Sequence, residues 1–315
     1  MSTVSVHIVT YNSAEHIDEC LQAVFNQKYS INQVIVIDNA SMDGTLEKLV
    51  KWSDRCVVVR NTKNNGFAGG HNQAIRLSQS DYHLVLNPDV TLDSGYIRNL
   101  IRCMEDDERI GSATGKLLFK ANQVNVDSTG LVINKARRAF DRGANEPSEA
   151  FQQAEEVFGV SGAAAMYARK MIDDISIYGE FFDEDFFAYK EDVDVAWRAQ
   201  LMGWKAYFDP EAVAYHERGW KEGGRSSKSL FVRRLSYINR YKMMYKNDRL
   251  NAIMKHLIPL FIYEAMSLGY AIMREPKLLA VWRNYFNKLS LLRSKRNTIQ
   301  NKCRVTDKDI YRWFK

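Results

Sequence analysis

The segment DEDFFAYKEDVD, residues 183–194, sets six carboxylates around three aromatic rings. A solvated acidic turn has no use for the rings; a general base or a hard-cation site is chemistry that such a cluster can perform. Two further aspartates stand where short apolar runs end, Asp38 after VIVI and Asp89 after LVLNP. A carboxylate can accept the imide N–H of uracil or thymine, and a second can hold a divalent cation across a diphosphate. Either aspartate alone reads as a helix cap or turn former. On adjacent strand ends, the two together favour a nucleotide site.

The elements that must position these groups are legible as pattern. β-branched runs at Val4–Thr10, Val34–Ile37, Val57–Val59 and Tyr82–Leu86 suit strands buried on both faces. Helical patterns at Ser13–Asn26, Asp43–Trp52 and about Ala68–Leu77 lie between them. Such alternation predicts βαβ units in an open, mainly parallel α/β sheet flanked by helices, with ligands beyond the carboxyl ends of the strands. Those ends, Thr10-Tyr11-Asn12, Asp38-Asn39, 61–66 and Asn87-Pro88-Asp89, are polar where the strands are apolar. Further along, strand-like runs fall at Lys116–Phe119, Val124–Asp127 and Leu131–Ile133, then an irregular connection at about Lys135–Glu156. The small-residue stretch Gly159–Ala165 leads into another strand. Glu191–Leu201 reads as a helix with Asp194 facing Arg198, and beyond Arg225 the chain reads as mostly helices.

Composition bounds the class. With 315 residues, 46% hydrophobic and 26% charged, the chain can build a substantial core. Four scattered cysteines make neither a disulfide framework nor a zinc spacing, which suits a reducing cytoplasm. The N-terminal MSTVSVHIVTYNS has no secretory pattern. Charge divides sharply: residues 218–315 hold 23 Lys/Arg and 6 Asp/Glu, a net of +17, against −11 for residues 1–217. That asymmetry points to a polyanionic partner or to a solvated basic helical layer. TYNSAEH after the first strand lacks G-x-G-x-x-G, and Asn64–Asn72 has glycines at other spacing, so a dinucleotide dehydrogenase is disfavoured.

VSVHIVTYNS, VIVIDNASMDGT, NNGFAGGHNQAI, LVLNPDV, SGAAAMYARK, FFDEDFFAYKEDVDVAWRAQLMGWKAYFDP and AYHERG, in that order, resemble family 2 glycosyltransferases, most of all the rhamnosyltransferases of bacterial surface polysaccharide synthesis. The resemblance covers about residues 4–220. It implies a GT-A fold, a dTDP- or UDP-sugar donor (dTDP-L-rhamnose first), a Mg²⁺ or Mn²⁺ ion and inversion at the anomeric carbon. It also implies a GT-A catalytic domain at 1–224, with a nucleotide-sugar half to about 110 and an acceptor half after it, followed by a basic helical region at 225–315.

Carried over residue by residue, Thr10, Tyr11 and Asn12 line the nucleotide pocket, Asp38 meets the base, and Asn39, Ser41 and Asp43 shape the pocket. Asn65, Gly66, Phe67 and Asn72 lie near ribose and diphosphate. Asn87-Pro88-Asp89 occupies the D-x-D position, with neutral Asn87 in place of its first aspartate. Asp89 then carries the metal, completed by His216. The base matches Asp192 of the Glu191-Asp192 pair, in a helical first turn whose dipole favours the carboxylate form; Asp185 is the rival. Gly162, Phe186, Phe187 and Tyr189 fall on the acceptor side, the rings reading equally as a sugar-stacking wall or as core.

The resemblance further implies a glycan or polyprenyl-diphosphate-linked acceptor at the inner face of the cytoplasmic membrane. In the tail, Leu257–Met273 is apolar and flanked by Arg249, Lys255, Arg274 and Lys277. It reads as a peripheral, interfacial segment on an anionic membrane, with a buried helix or a homodimer contact as alternatives. A basic nucleic-acid-binding protein is disfavoured, because no such motif is present. An inactive nucleotide-sugar binder is the reading that Asn87 leaves open.

Overall fold

The structure, a computed structural model, describes residues 1–218 and 228–315. Strands β1 (Val4–Thr10), β2 (Gln33–Asp38), β3 (Val57–Arg60) and β4 (Tyr82–Leu86) pair in parallel in the order β3-β2-β1-β4. Helices α1 (Ile17–Phe25), α2 (Thr45–Val50) and α3 (Gly66–Arg76) make the crossovers. On β1, Val4, Val6 and Ile8 belong to a core shared with α1, while Ser5 and His7 turn to the other face, where His83 of β4 meets Ser5.

Beyond β4 the sheet becomes mixed. β5 (Val90–Leu92), α4 (Tyr96–Glu105), β6 (Ile110–Phe119), β7 (Asn122–Ser128), β8 (Leu131–Ile133), β9 (Ala139–Asp141), β10 (Glu155–Val157), β11 (Ala164–Ala168), α5 (Arg169–Ile175), α6 (Glu191–Leu201) and β12 (Lys205–His216) follow. β11 lies antiparallel between β4 and β6, and β6 runs parallel to β12. Expected and observed ends coincide at β1, β4, β8 and α6. The 135–156 connection is more ordered than expected, because β9 closes a hairpin on β8 and β10 adds to the edge of β12. Gly159–Ala163 is loop rather than strand: a Cβ at Gly159 would stand 2.2 Å from Cβ of Ala196, so this passage is set by close approach to α6.

The tail forms α7 (Leu230–Asn247), α8 (Leu250–Lys255), α9 (Leu257–Arg274), α10 (Val281–Asn287), α11 (Leu289–Asn301) and α12 (Asp307–Tyr311). The expected boundary at 224–225 lies outside the described residues. Met243, Ile299, Ile310 and Phe314 share one buried cluster with Phe186, Val193 and Trp197. Each such buried side chain contributes about 2 kcal/mol of burial.

Charge reinforces this junction. Lys246 of α7 pairs with Asp194 at 2.9 Å and with Asp183; Lys295 of α11 reaches Asp183 at 2.6 Å and Asp185 at 3.2 Å. Arg198 binds Asp194 at 3.0 Å, as the i,i+4 spacing predicts, and donates to the carbonyls of Ile175 and Phe181. The division between an acidic body and a basic tail is therefore answered partly inside the chain, and less of it is left for an external polyanion.

Asp194 is fully buried and accepts from Arg198, Lys246 and Asn247. We expect Asp194→Ala to cost about 3–5 kcal/mol in urea unfolding, because buried cations lose their counter-ion. A loss below about 1 kcal/mol, the value of an exposed pair, would contradict that role.

Candidate active site

The carboxyl ends of β1 and β2 are stapled to each other before any ligand arrives. Asn12 N donates to Ser41 Oγ at 2.9 Å, Met42 N to Asn12 Oδ1 at 2.9 Å, and Ala14 N to Asp43 Oδ2 at 3.0 Å. Asp38 accepts from Thr10 Oγ1 at 3.0 Å and from Ser41 N at 3.1 Å. Its side chain is fully buried and braces the loop. Asn72 is buried too and bonds Phe182 N at 2.9 Å and Phe182 O at 2.7 Å, locking the segment before the acidic cluster.

What remains open is a cleft of about 370 Å³. Of the expected residues, Tyr11, Asn12, Asn39, Gly66, Phe67, Asn87, Asp89 and Phe187 line it; Thr10, Asp38, Ser41, Asp43, Asn65 and Asn72 stand behind or beside it. Val9, Ser13, His16, Asn64 and Ala188 also line it, and the sequence did not single these out. Gly66 is needed at the back wall: at φ +74°, a Cβ there would meet the Phe187 carbonyl at 2.3 Å. Asn39 Nδ2 holds the Gly66 carbonyl at 3.0 Å. A larger cleft, about 530 Å³, lies by Ile110 and Lys205 at the amino ends of β6 and β12, and contains none of the expected residues.

Pairing of β5 with β12 puts His216 opposite Val90 and so delivers it to Asp89. His216 Nε2 stands 3.4 Å from Asp89 Oδ1, and its Nδ1 is 2.8 Å from Asp127 Oδ2. Burial disfavours a charged imidazole, but the hydrogen bonds to Asp127 and Asp89 outweigh it and raise the pKa to about 9. Arg218 then holds Asp127 at 2.7 Å and Asp141 at 2.6 Å. Asp127 and Arg218 were not anticipated; AYHERG contained the arginine, but nothing in the sequence paired it with β7. Asp89 Oδ1 is buried and meets only the His216 imidazole, at the long distance of 3.4 Å, while the other ring nitrogen is oriented by Asp127. A divalent cation would be held here by Asp89 and by His216 only as it displaces the Nε2 proton, with phosphate oxygens and water completing its shell. Among the described residues, no three His, Cys, Asp or Glu side chains converge on one point.

The acidic cluster separates into two environments. Asp185 is held by Lys288 and by Lys295; burial opposes ionisation, but these lysines keep it below the usual carboxylate range. Phe186 is fully buried against Trp197 and Val193, so it belongs to the core and not to a sugar wall. Phe187 lines the cleft, and Tyr189 is 44% exposed. Phe187, Tyr189 and Lys190 all have φ between +62° and +74°, a left-handed run costly for side-chain-bearing residues. The tail holds this run in place: Asn239 Nδ2 of α7 donates to the carbonyls of Phe186, Ala188 and Tyr189 at 2.9–3.0 Å.

That loop ends at Glu191 and Asp192. Asp192 accepts from Val193 N at 2.8 Å and Gly162 N at 3.3 Å. A Cβ on Gly162 would touch Phe67 at 3.0 Å and Asp192 at 3.7 Å, so this glycine is the seam between the cleft wall and the acid pair. Contrary to the helix-dipole expectation, burial overrules the helix start. It raises Asp192 above its ordinary value, and burial together with the Asp192 charge pushes Glu191 up to about 8. The two carboxyls thus form a buried pair that holds protons more tightly than ordinary carboxylates.

Comparison with known proteins accords with this geometry. Poly-beta-1,6-N-acetyl-D-glucosamine synthase of Staphylococcus aureus (strain COL) is 25% identical over 210 residues, covering 66% of this chain and 48% of that protein. The Staphylococcus epidermidis synthase is 22% identical over 214 residues. The chain thus spans about half the length of these curated relatives. Among solved structures, GalNAc-T7 with UDP, GalNAc and Mn²⁺ superposes with a TM-score of 0.62 at 13% identity, over 78% of this chain and 48% of that one. Mannosyltransferase PcManGT of Pyrobaculum calidifontis, in complex with GDP-Man and Mn²⁺, gives 0.55 at 18% identity over 96% and 84%. These likenesses show the GT-A fold. The profile of the Glycosyl transferase family 2 matches residues 5–176, more than half of the chain, and the protein is a member of that family.

Proposed function

We propose that this protein is an inverting transferase that moves a sugar from a nucleoside-diphosphate donor to a hydroxyl of a glycan or polyprenyl-diphosphate-linked acceptor, for a cell-surface polysaccharide, at the inner face of the cytoplasmic membrane. The observation that carries this reading is the joining of two sites by one glycine: the polar cleft ending at Asp89 and His216, and the buried acid pair at Asp192, meet across Gly162 and Phe67.

In the proposed step, the acceptor oxygen forms a bond to the anomeric carbon from the side opposite the diphosphate. Its proton passes to Asp192, and the C–O bond to the diphosphate breaks with its electron pair leaving on the nucleotide. Burial suits Asp192 to this task, since a raised pKa makes it a stronger base than a solvated aspartate. Glu191 beside it raises the proton affinity of the pair through like-charge repulsion. Asp89 and His216 would hold a divalent cation, with Asp127 orienting the imidazole. When bound, that ion supplies positive charge against the departing diphosphate. Relatives and neighbours of the same fold support the donor class: GalNAc-T7 was solved with UDP and PcManGT with GDP-Man, each with Mn²⁺.

For the donor, the motif resemblance favours dTDP-L-rhamnose, whereas the name of the staphylococcal relatives favours an N-acetylglucosamine donor. Thermal shift with dTDP, UDP and their sugars, with Mn²⁺ or Mg²⁺, separates the two. Stabilisation by a dTDP-sugar alone is expected, and by a UDP-sugar alone would reverse the assignment.

Asp192→Asn should lower kcat by about 10²–10⁴-fold while donor binding persists, as expected for loss of a general base. In the unsubstituted protein, the acidic limb of the kcat/KM profile should lie above the ordinary aspartate pKa, with activity rising as pH rises and Asp192 ionises. Full activity in Asp192→Asn would transfer the role to Asp185. Asp89→Ala should weaken Mn²⁺-dependent nucleotide binding in calorimetry, whereas unchanged metal dependence would remove Asp89 as a ligand.

A further inference from the structure

Helix α9 is seated on one side and bare on the other. Leu260 and Ala271 are buried, and Glu264, the helix's single acid, turns the same way to pair with Arg240 of α7 at 2.6 Å and to accept the Tyr241 hydroxyl at 2.6 Å. Opposite them, Ile258, Phe261, Ile262, Met266, Ile272 and Met273 are each more than half exposed, reaching 77% at Met273. At 3.6 residues per turn these six fall within about 140° of the helix circumference, as wide as the stripe by which a helix normally faces a core. No charged residue interrupts the arc. α8 extends it with Leu250 and Met254, 69% and 62% exposed.

Exposed cations bracket this face. Lys255 precedes the helix, Arg274 ends it and Lys277 follows; Arg283 lies on the next helix. None of the four makes an ion pair among the described residues, in contrast to Lys246, Lys295 and Arg240, which are consumed internally. We infer that the α8–α9 face docks on an anionic lipid surface, its apolar side chains entering the acyl boundary and Lys255, Arg274 and Lys277 meeting headgroup phosphates.

Two alternatives fit less well. α9 is the one described helix long and apolar enough to cross a membrane by length and composition. Its 18 residues reach only about 27 Å, against a hydrocarbon core of about 30 Å, and one side is fastened to α7 by an ion pair, so it lies along the interface. Burying the same face against a second copy would bring the unpaired Lys255, Arg274 and Lys277 of two chains together, with no acid among the described residues of that face to meet them. An anionic bilayer matches both the apolar arc and its rim.

The inference rests on the membrane placement in the proposed function and names the surface that would make it; it is measured without turnover, so docking and transfer can fail separately. The intact chain is mixed with vesicles of phosphatidylglycerol and phosphatidylcholine, or of phosphatidylcholine alone, and pelleted. Binding to the anionic vesicles, weakened by added salt, is expected. Ile258→Ser/Phe261→Ser/Ile272→Ser should abolish it, and Lys255→Glu/Arg274→Glu/Lys277→Glu should weaken it by about fivefold or more for each cation. Circular dichroism and nucleotide binding, unchanged in both variants, show that the fold is intact. Equal binding to neutral vesicles, no binding at low salt, or a dimer in sedimentation velocity that the serine variant dissociates would overturn the inference, the last in favour of a second copy.

Discussion

Asp194 is the point on which this molecule is fastened. It sits on the helix that begins with the proposed base, and it takes a guanidinium from its own helix and an ammonium and an amide from the tail. Three buried donors on one buried acceptor leave little freedom in how α6 and α7 are set against each other. Because such an arrangement is expensive to half-break, the acidic body and basic tail behave as one structure at this junction. The positive-φ residues Phe187, Tyr189 and Lys190 depend on that junction. Asn239, two helical turns before Asn247, can bridge the loop's carbonyls only while α7 is held there.

From this follows the difference between neighbouring acids of identical type. Asp183 and Asp185 face lysines of the tail and are held below the usual carboxylate range; Glu191 and Asp192, a few residues later, are raised chiefly by burial. Sequence distance between the two pairs is small, yet their proton affinities diverge because the cations come from residues 60 to 110 positions away. The structure therefore separates charge that holds the fold from charge that can move a proton.

Much of the parallel half was legible because its runs are apolar and bounded by turn residues, as at Val4–Thr10 and Tyr82–Leu86. β12 was not read as a strand. Its middle holds Asp209-Pro210, and a proline in a strand argues against the assignment; the pairing to β6 shifts register between Phe208 and Val213, and that irregularity absorbs it. At the site, the D-x-D-like turn and the acid pair could be located by motif, but their partners could not. Asp127 reaches His216 only through the β6–β7 hairpin, and Asn239 reaches the loop only through tertiary packing. Asp38 and Asn72 show the converse limit. A side chain that braces a loop and one that receives a ligand have the same chemistry, and the bracing bonds come into view only with the fold.

The reversal of β11 has a geometric result for the two halves of the cleft. Parallel strands deliver their trailing loops to one edge of a sheet; an antiparallel strand delivers its leading loop to that same edge. Ala164 stands beside Leu86, so the glycine-containing approach to β11 arrives where β4 departs toward Asp89. A shift of this single pairing by two residues would keep every side chain on its own face, yet carry the approach about 7 Å along the sheet. The distance between the Asp89 turn and the proposed base beside Gly162 is thus gauged by one strand's register, a ruler cut into the sheet itself.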